Sequence, residues 1–225
     1  MSSSFWDKKI LGWEAARYDG EVGVTGWPLR NRMKIAANIL QSLPEGLRLT
    51  DLGCGTGRLF ELLRQEQFSE LLGIDFAKPA IDLAQTKDFQ AHVSFLCASV
   101  SGPRIPESDC YVALGLVDWL SDQDIRGLFQ QFENKFFLVS FSEKRSPLLR
   151  LPHALFRRVT GKTLNLEFLP RYHSLTELTA FVPLGQAQRL RVIRHLSMAF
   201  GSLLTNIPPE VLISESSRQA NARGK

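Results

Sequence analysis

The chain has 225 residues, 44% of them apolar and 22% charged, with a net charge of +4. That is enough for one domain with a substantial core, and too apolar for disorder to dominate. Three cysteines, Cys54, Cys97 and Cys110, are too few and too scattered for a disulfide framework or a zinc site, so no metal is expected.

No apolar run approaches the roughly 18 residues that span a bilayer. Residues 1–8 lack an apolar signal core, and a cytoplasmic location is the expectation. Residues 5–41 read as helical with interruptions: Phe5, Trp6, Ile10, Leu11, Trp13 and Tyr18 supply aromatic and aliphatic bulk. Gly20, Gly23, Gly26 and Pro28 then break the pattern. A second helix is expected over about 31–40, with Met33, Ala36, Ala37 and Leu40 on one face.

A first strand over 48–51 runs into Asp51-Leu52-Gly53-Cys54-Gly55-Thr56-Gly57, three glycines at alternate positions. Glycine tolerates positive φ and lets backbone approach a ligand closely. A helix is expected over 58–67, its free N–H groups turned back toward this bend. A dinucleotide fingerprint would place its third glycine where Arg58 stands. A carboxylate just before the bend, Asp51, repels a pyrophosphate and attracts an ammonium or sulfonium. The second strand, 71–74, ends in Asp75, 18 residues beyond Gly57. In nucleotide-binding βαβ units an acid at about this distance accepts hydrogen bonds from ribose.

Residues 51–57, followed by Leu71-Leu72-Gly73-Ile74-Asp75-Phe76-Ala77, resemble the opening motifs of the class I S-adenosylmethionine-dependent methyltransferases. The resemblance implies a Rossmann-like α/β three-layer sandwich. Its seven-stranded, mostly parallel sheet would have an antiparallel last strand, an N-terminal helical lid and a helical insertion after strand five. Residues 1–213 would form one domain, with a disordered polar tail over 214–225. S-adenosylmethionine would be the cofactor, held by Asp51, Gly53, Cys54, Gly55, Gly57, Asp75 and Phe76. The opening Phe-Trp-Asp…Tyr-Asp resembles the lid of small-molecule methyltransferases, which would set Tyr18 near the methionine end. Arg30 and Arg32 could meet the cofactor carboxylate, or be ordinary exposed helix charges.

A helix is expected over 79–87, Pro79 fitting its first turn, and a third strand over 93–97. The family often places an acid after that strand for the adenine amino group; here Ala98-Ser99-Val100 stands there, leaving Ser99 and Val100 for the role. A fourth strand, 110–114, leads into Leu114-Gly115-Leu116, which the resemblance puts beside the cofactor. Asp118 matches an acid near the methyl group in related enzymes, or else caps and meets solvent. Trp119 would wall a substrate pocket or pack. Ser121 is a good N-cap for a helix over 122–133, before a fifth strand over 136–142. The regular βα alternation by itself argues for a parallel sheet covered on both faces.

Charge then changes sign along the chain. Residues 1–142 hold 14 Lys/Arg against 18 Asp/Glu, and 143–225 hold 13 against 5. The amphipathic stretch 147–160 lies in 143–183, which by the resemblance would be an insertion that builds the substrate lid. Its basic residues suit an anionic ligand, an acidic membrane surface or simply solvent. His173 is the best general base by residue type. Arg171 and Tyr172 beside it could bind a substrate carboxylate or ring, and Ser174 would cap a helix over 175–181. Residues 189–196 and 199–205 read as a closing hairpin. In layout, residues 144–208 resemble magnesium-protoporphyrin carboxyl methyltransferases, implying an acidic, flat, apolar acceptor. The expectation is therefore methyl transfer to an oxygen, less readily a nitrogen, of a small metabolite. An RNA-directed methyltransferase is the rival, allowed by the basic half but lacking an Asn-Pro-Pro-Tyr-type motif after strand four. A non-catalytic binding protein on the same fold is the other.

Overall fold

The computed structural model describes residues 3–19, 26–101, 104–144, 170–199 and 201–208. The elements are α1 (Ser3–Tyr18), α2 (Gly26–Gln41), β1 (Arg48–Leu52), β2 (Glu70–Asp75), α3 (Lys78–Gln85), β3 (Val93–Cys97) and β4 (Cys110–Ala113). They continue as α4 (Asp122–Gln131), β5 (Phe136–Ser142), α5 (Leu175–Thr179), α6 (Leu184–Ala187), β6 (Arg191–Ile193) and β7 (Gly201–Thr205). The amphipathic stretch 147–160, the rest of the insertion up to residue 169, and the tail 214–225 lie outside the described residues.

The sheet is seven-stranded in the order β3-β2-β1-β4-β5-β7-β6. Neighbours from β3 to β5 pair in parallel, and β7 runs antiparallel to both β5 and β6. Side chains alternate faces along a strand, and the core divides accordingly. Tyr111, Ala113, Phe137, Val139 and Phe141 pack on one face against Ile125, Leu128 and Phe129 of α4 and Leu178 of α5. Cys110, Val112, Leu138 and Leu203 pack on the other against Ala36, Ala37 and Leu40 of α2. Both faces are thus covered by helices, as buried parallel strands require.

Helix starts follow local chemistry. Ser121 and Ser174 each accept a hydrogen bond from the backbone N–H three residues on, and Asp124 and Glu177 return the bond, completing two capping boxes. α2 begins at Gly26 rather than near Asn31, because Pro28 fits the first turn, where no N–H is needed.

The expected helix over 58–67 is not formed. Two short 3₁₀ turns, Phe60–Leu62 and Gln65–Gln67, replace it, separated by extended backbone at Leu63 and Arg64. The apolar spacing that suggested a helix is real, since Leu59, Phe60 and Leu63 are buried. Side chains, however, take carbonyls that a helix would use or leave free. Gln65 Nε2 donates to Phe60 O and Gln67 Nε2 to Leu43 O, at 3.2 and 2.7 Å. The backbone donors of a long helix therefore do not face the glycine bend.

α1 lies across the carboxyl edge of the sheet. Ile10 packs on Ala77 and Ala80, and Asp7 accepts a hydrogen bond from the Lys78 N–H at 3.2 Å. Trp6 meets Trp119 edge-to-face at 5.2 Å. Among the described residues no helix is long and apolar enough to cross a membrane.

Candidate active site

The site grows from the end of β1. Gly53, Gly55 and Gly57 have φ of +72, +54 and +76°, so the bend needs the left-handed region at each alternate residue. The Gly53 and Cys54 N–H groups both donate to Ile74 O, at 2.7 and 3.1 Å, which locks the bend onto β2. A Cβ at Gly57 would stand 2.8 Å from the Phe95 ring.

Two acids flank this bend. Asp75 Oδ2 accepts from the Gly55 N–H at 3.0 Å and Oδ1 from the Ala77 N–H at 2.8 Å. The carboxylate is therefore fixed while each oxygen keeps a further acceptor direction. Asp51, 3% exposed, has an Oδ1 without any hydrogen-bond partner. Burial, and after it the carboxylates of Asp75 and Glu14, push the Asp51 carboxyl well above the usual range. Burial raises Asp75 as well, against the pull of the backbone amides that donate to it. An unsatisfied buried carboxylate is costly, and a positively charged ligand group would satisfy it.

The methionine side of the expected site holds Tyr18 and Arg32. Burial raises the Tyr18 phenol, opposed by the adjacent Arg32 guanidinium. Arg32 is buried on α2 with its Nε unpartnered, and its Nη2 would stand 3.0 Å from a Cβ at Gly115. Arg30 instead donates to Tyr18 O, tying α1 to α2. Gly115, φ +81°, donates its N–H to Ser140 Oγ at 2.6 Å, while Leu114 packs into the α2-side core. On the adenosine side, Phe76 O lies 3.8 Å from Cys97 Sγ. Ser99 is exposed and accepts from the Ser101 N–H, and Val100 is buried.

Beyond β4, Asp118 and His173 come together. Asp118 Oδ1 and Oδ2 accept from Ser142 N and Oγ at 2.9 and 2.7 Å, and burial raises its carboxyl. His173, 2% exposed, brings Nε2 to 3.3 Å from Val117 O. Burial lowers its imidazole below the usual range, opposed by Asp118. Residues 171 and 173 join this edge through backbone bonds, Arg171 N–H to Asp118 O and His173 N–H to Ser142 O. The Arg171 side chain turns away from the bend, pairing with Asp122 at 2.5 Å and donating to Leu120 O. Tyr172 is half-buried between these two residues. Trp119 stands against Trp6. Several basic residues of the positive half are engaged in ion pairs: Lys144 with Glu177 and Arg194 with Glu143.

Glu14 was not anticipated. Its Oε1 accepts from the Thr56 N–H at 3.2 Å, its Oε2 from Thr56 Oγ1 at 2.6 Å, and Arg58 Nε stands 3.3 Å from Oε2. A Cβ at Gly55 would collide with Glu14 Oε1. The available signal was the spacing Ile10, Glu14, Tyr18, which sets all three on one face of α1.

Comparison with known proteins agrees with this geometry. Residues 49–135 match the family model described as a methyltransferase domain. A malonyl-[acyl-carrier protein] O-methyltransferase from Bacillus cereus is 32% identical over 135 residues, 56% of this chain and 50% of the relative. The Bacillus anthracis protein of the same name is 29% identical over the same shares. The chain thus spans about half the length of the curated relatives it matches. Among solved structures, magnesium protoporphyrin IX methyltransferase from Synechocystis PCC 6803, with bound S-adenosylhomocysteine, superposes with a TM-score of 0.66. Its identity is 15%, over 90% of this chain and 96% of that one. Human N-acetylserotonin methyltransferase in complex with S-adenosylmethionine gives a TM-score of 0.59 at 15% identity, over 91% and 56%. The match over 49–135 takes in the glycine bend, Asp75 and β4, and the sheet around them has the fold of solved S-adenosylmethionine-dependent methyltransferases.

Proposed function

We propose that the chain transfers a methyl group from S-adenosylmethionine to an oxygen of a small, apolar and anionic metabolite. The observation that carries this reading is the unpartnered, buried Asp51 Oδ1 beside a positive-φ glycine bend, with Asp75 one strand over. The residues fit the cofactor: Asp51 would meet its ammonium, Asp75 its ribose hydroxyls, and Arg32, with its Nε unpartnered, its carboxylate. The cofactor supplies a methyl already activated on a sulfonium. The chain's own task is to bind, align and exclude water, which can lower a barrier by up to about 7–11 kcal/mol. Trp6 and Trp119 supply an apolar wall at the sheet edge.

Support for an oxygen acceptor comes from the names of the relatives, malonyl-[acyl-carrier protein] O-methyltransferases. A carboxylate acceptor carries no proton and needs no base. For a hydroxyl acceptor, His173 and Asp118 are the groups at hand, and a positioned base adds about 10²–10⁴-fold. Calorimetry with S-adenosylmethionine should give saturable one-site binding that Asp75→Ala abolishes. Incubation with methyl-labelled cofactor and fractionated cell extract, followed by mass spectrometry, should place the label on a small acid as an ester. Label on RNA, or on no acceptor at all, would refute the reading.

A further inference from the structure

We propose that Ser140 is a positioning residue for the amino-acid end of the cofactor: through the Gly115 N–H it sets where Arg32 stands relative to Asp51. The inference rests on the function proposed above and extends it to a residue buried in β5.

The pairing of β4 with β5 stops at Ala113 and Val139. The chain then turns out of the sheet through Gly115, whose φ is +81°. The Ser140 hydroxyl accepts the Gly115 N–H at 2.6 Å and so ties this turn to β5. Ser140 is fully buried, and its backbone is held opposite Leu203 of β7, which makes the hydroxyl a fixed post. The turn leans on both halves of the site. On one side Leu116 Cδ1 would stand 3.3 Å from a Cβ at Gly53, in the glycine bend. On the other, Arg32 Nη2 would stand 3.0 Å from a Cβ at Gly115 itself. The bare Cα of Gly115 is what lets the guanidinium lie against the turn. Gly201 borders the same side chain, its Cβ position 3.8 Å from Arg32 Cδ.

An α-amino acid is a zwitterion, and two buried groups beside this turn match its two charges. Arg32 is 7% exposed, and among the described residues its Nε has no partner. Asp51 keeps Oδ1 unpartnered as well, opposite Val112 on the strand that leads into the turn. Asp51 is held by the sheet on both sides, at Gly73 and at Val112. Arg32 reaches in from α2 on a long side chain, and the turn that Ser140 pins is what it rests on. A shift of the turn therefore moves the cation relative to the carboxylate, and charge-assisted hydrogen bonds weaken steeply once distance and direction are lost. Asp75 hangs from β2, two strands from β4, so the ribose side of the site does not depend on this turn.

The test is calorimetric titration of the whole chain with two ligands that differ only at this end. S-adenosylhomocysteine carries the amino acid, and 5′-methylthioadenosine lacks it. Ser140→Ala should weaken S-adenosylhomocysteine about tenfold, the worth of one charge-assisted hydrogen bond, and leave methylthioadenosine within about twofold. Gly115→Ala, which sets a methyl against the guanidinium, should give the same split. In an Arg32→Gln background Ser140→Ala should cost S-adenosylhomocysteine nothing further, because the serine acts through that arginine. Thermal melts without ligand check that each variant is folded, and Gly115→Ala carries the test if Ser140→Ala is not. Equal weakening of both ligands would make Ser140 a merely structural contact and overturn the proposal. Unchanged affinity for S-adenosylhomocysteine in Ser140→Ala, or additive losses in the double variant, would do the same. A wild-type chain that binds neither ligand would overturn the function proposed above as well.

Discussion

Asp51→Asn separates what the fold wants from what the site wants. Asp51 sits buried beside Asp75 and Glu14 with one oxygen unpaired. Its carboxyl is raised in the folded chain, so the folded state holds a proton that the unfolded state has already lost. Stability attached to this group is therefore present at low pH and lost as pH rises from the ordinary carboxylate value through the raised one. Asparagine removes the charge and supplies N–H donors toward two acids. The ligand-free variant should be more stable at pH 7.5 by about 1–3 kcal/mol, the cost of an unsatisfied buried polar or charged group. For a domain of this size that is about 2–4 °C in Tm per kcal/mol. The advantage should shrink at pH 5, where wild-type Asp51 is more fully protonated. Binding moves the other way. Loss of a charge-assisted hydrogen bond to the cofactor ammonium, about 1.5–3 kcal/mol, weakens Kd about 10- to 150-fold. Differential scanning fluorimetry at the two pH values and calorimetry with S-adenosylmethionine measure both effects. A variant less stable than wild type at pH 7.5 without ligand, or one with unchanged Kd, would refute the reasoning.

Gly55→Ala should cost about 1–2 kcal/mol for left-handed backbone at φ +54°, and its Cβ meets Glu14; calorimetry should read at least a tenfold weaker cofactor. Ser121→Ala removes the acceptor for the Asp124 N–H and should lower urea stability by about 1 kcal/mol while leaving cofactor affinity intact. His173 has the opposite pH sign to Asp51, because burial lowers its imidazole. Its contribution is complete above the usual histidine value and fades as pH falls below it. Urea midpoints for His173→Gln should therefore gain on those of the wild-type chain as pH falls from 7.5 to 5.

Much of the fold was legible because it is local. β3 and β5 coincide with the expected runs, and β1, β2 and β4 differ by a residue at one or both ends, since short apolar-rich runs bounded by turn residues read as strands. The caps at Ser121 and Ser174 were legible for the same reason, each an acceptor with an acid three residues on. The segment 58–67 misled because Gln65 and Gln67 spend their amides on carbonyls, one of them 24 residues away, which no periodicity reports. Glu14 escaped notice because its partners, Thr56 and Arg58, are 42 and 44 residues distant. Arg171 was expected at a substrate; the structure pairs it with Asp122, 49 residues earlier, on an exposed edge.

The reversed strand β7 has a consequence for how the molecule is made. It is the sole link between β5 and β6, yet residues 201–205 leave the ribosome after every other described strand. Until they emerge, β5 presents Leu138 and Val139 on an unpaired border, open to pairing with another nascent chain. Chains that stall or are cleaved shortly before Gly201 should therefore be the species that chaperones retain and that aggregates recruit.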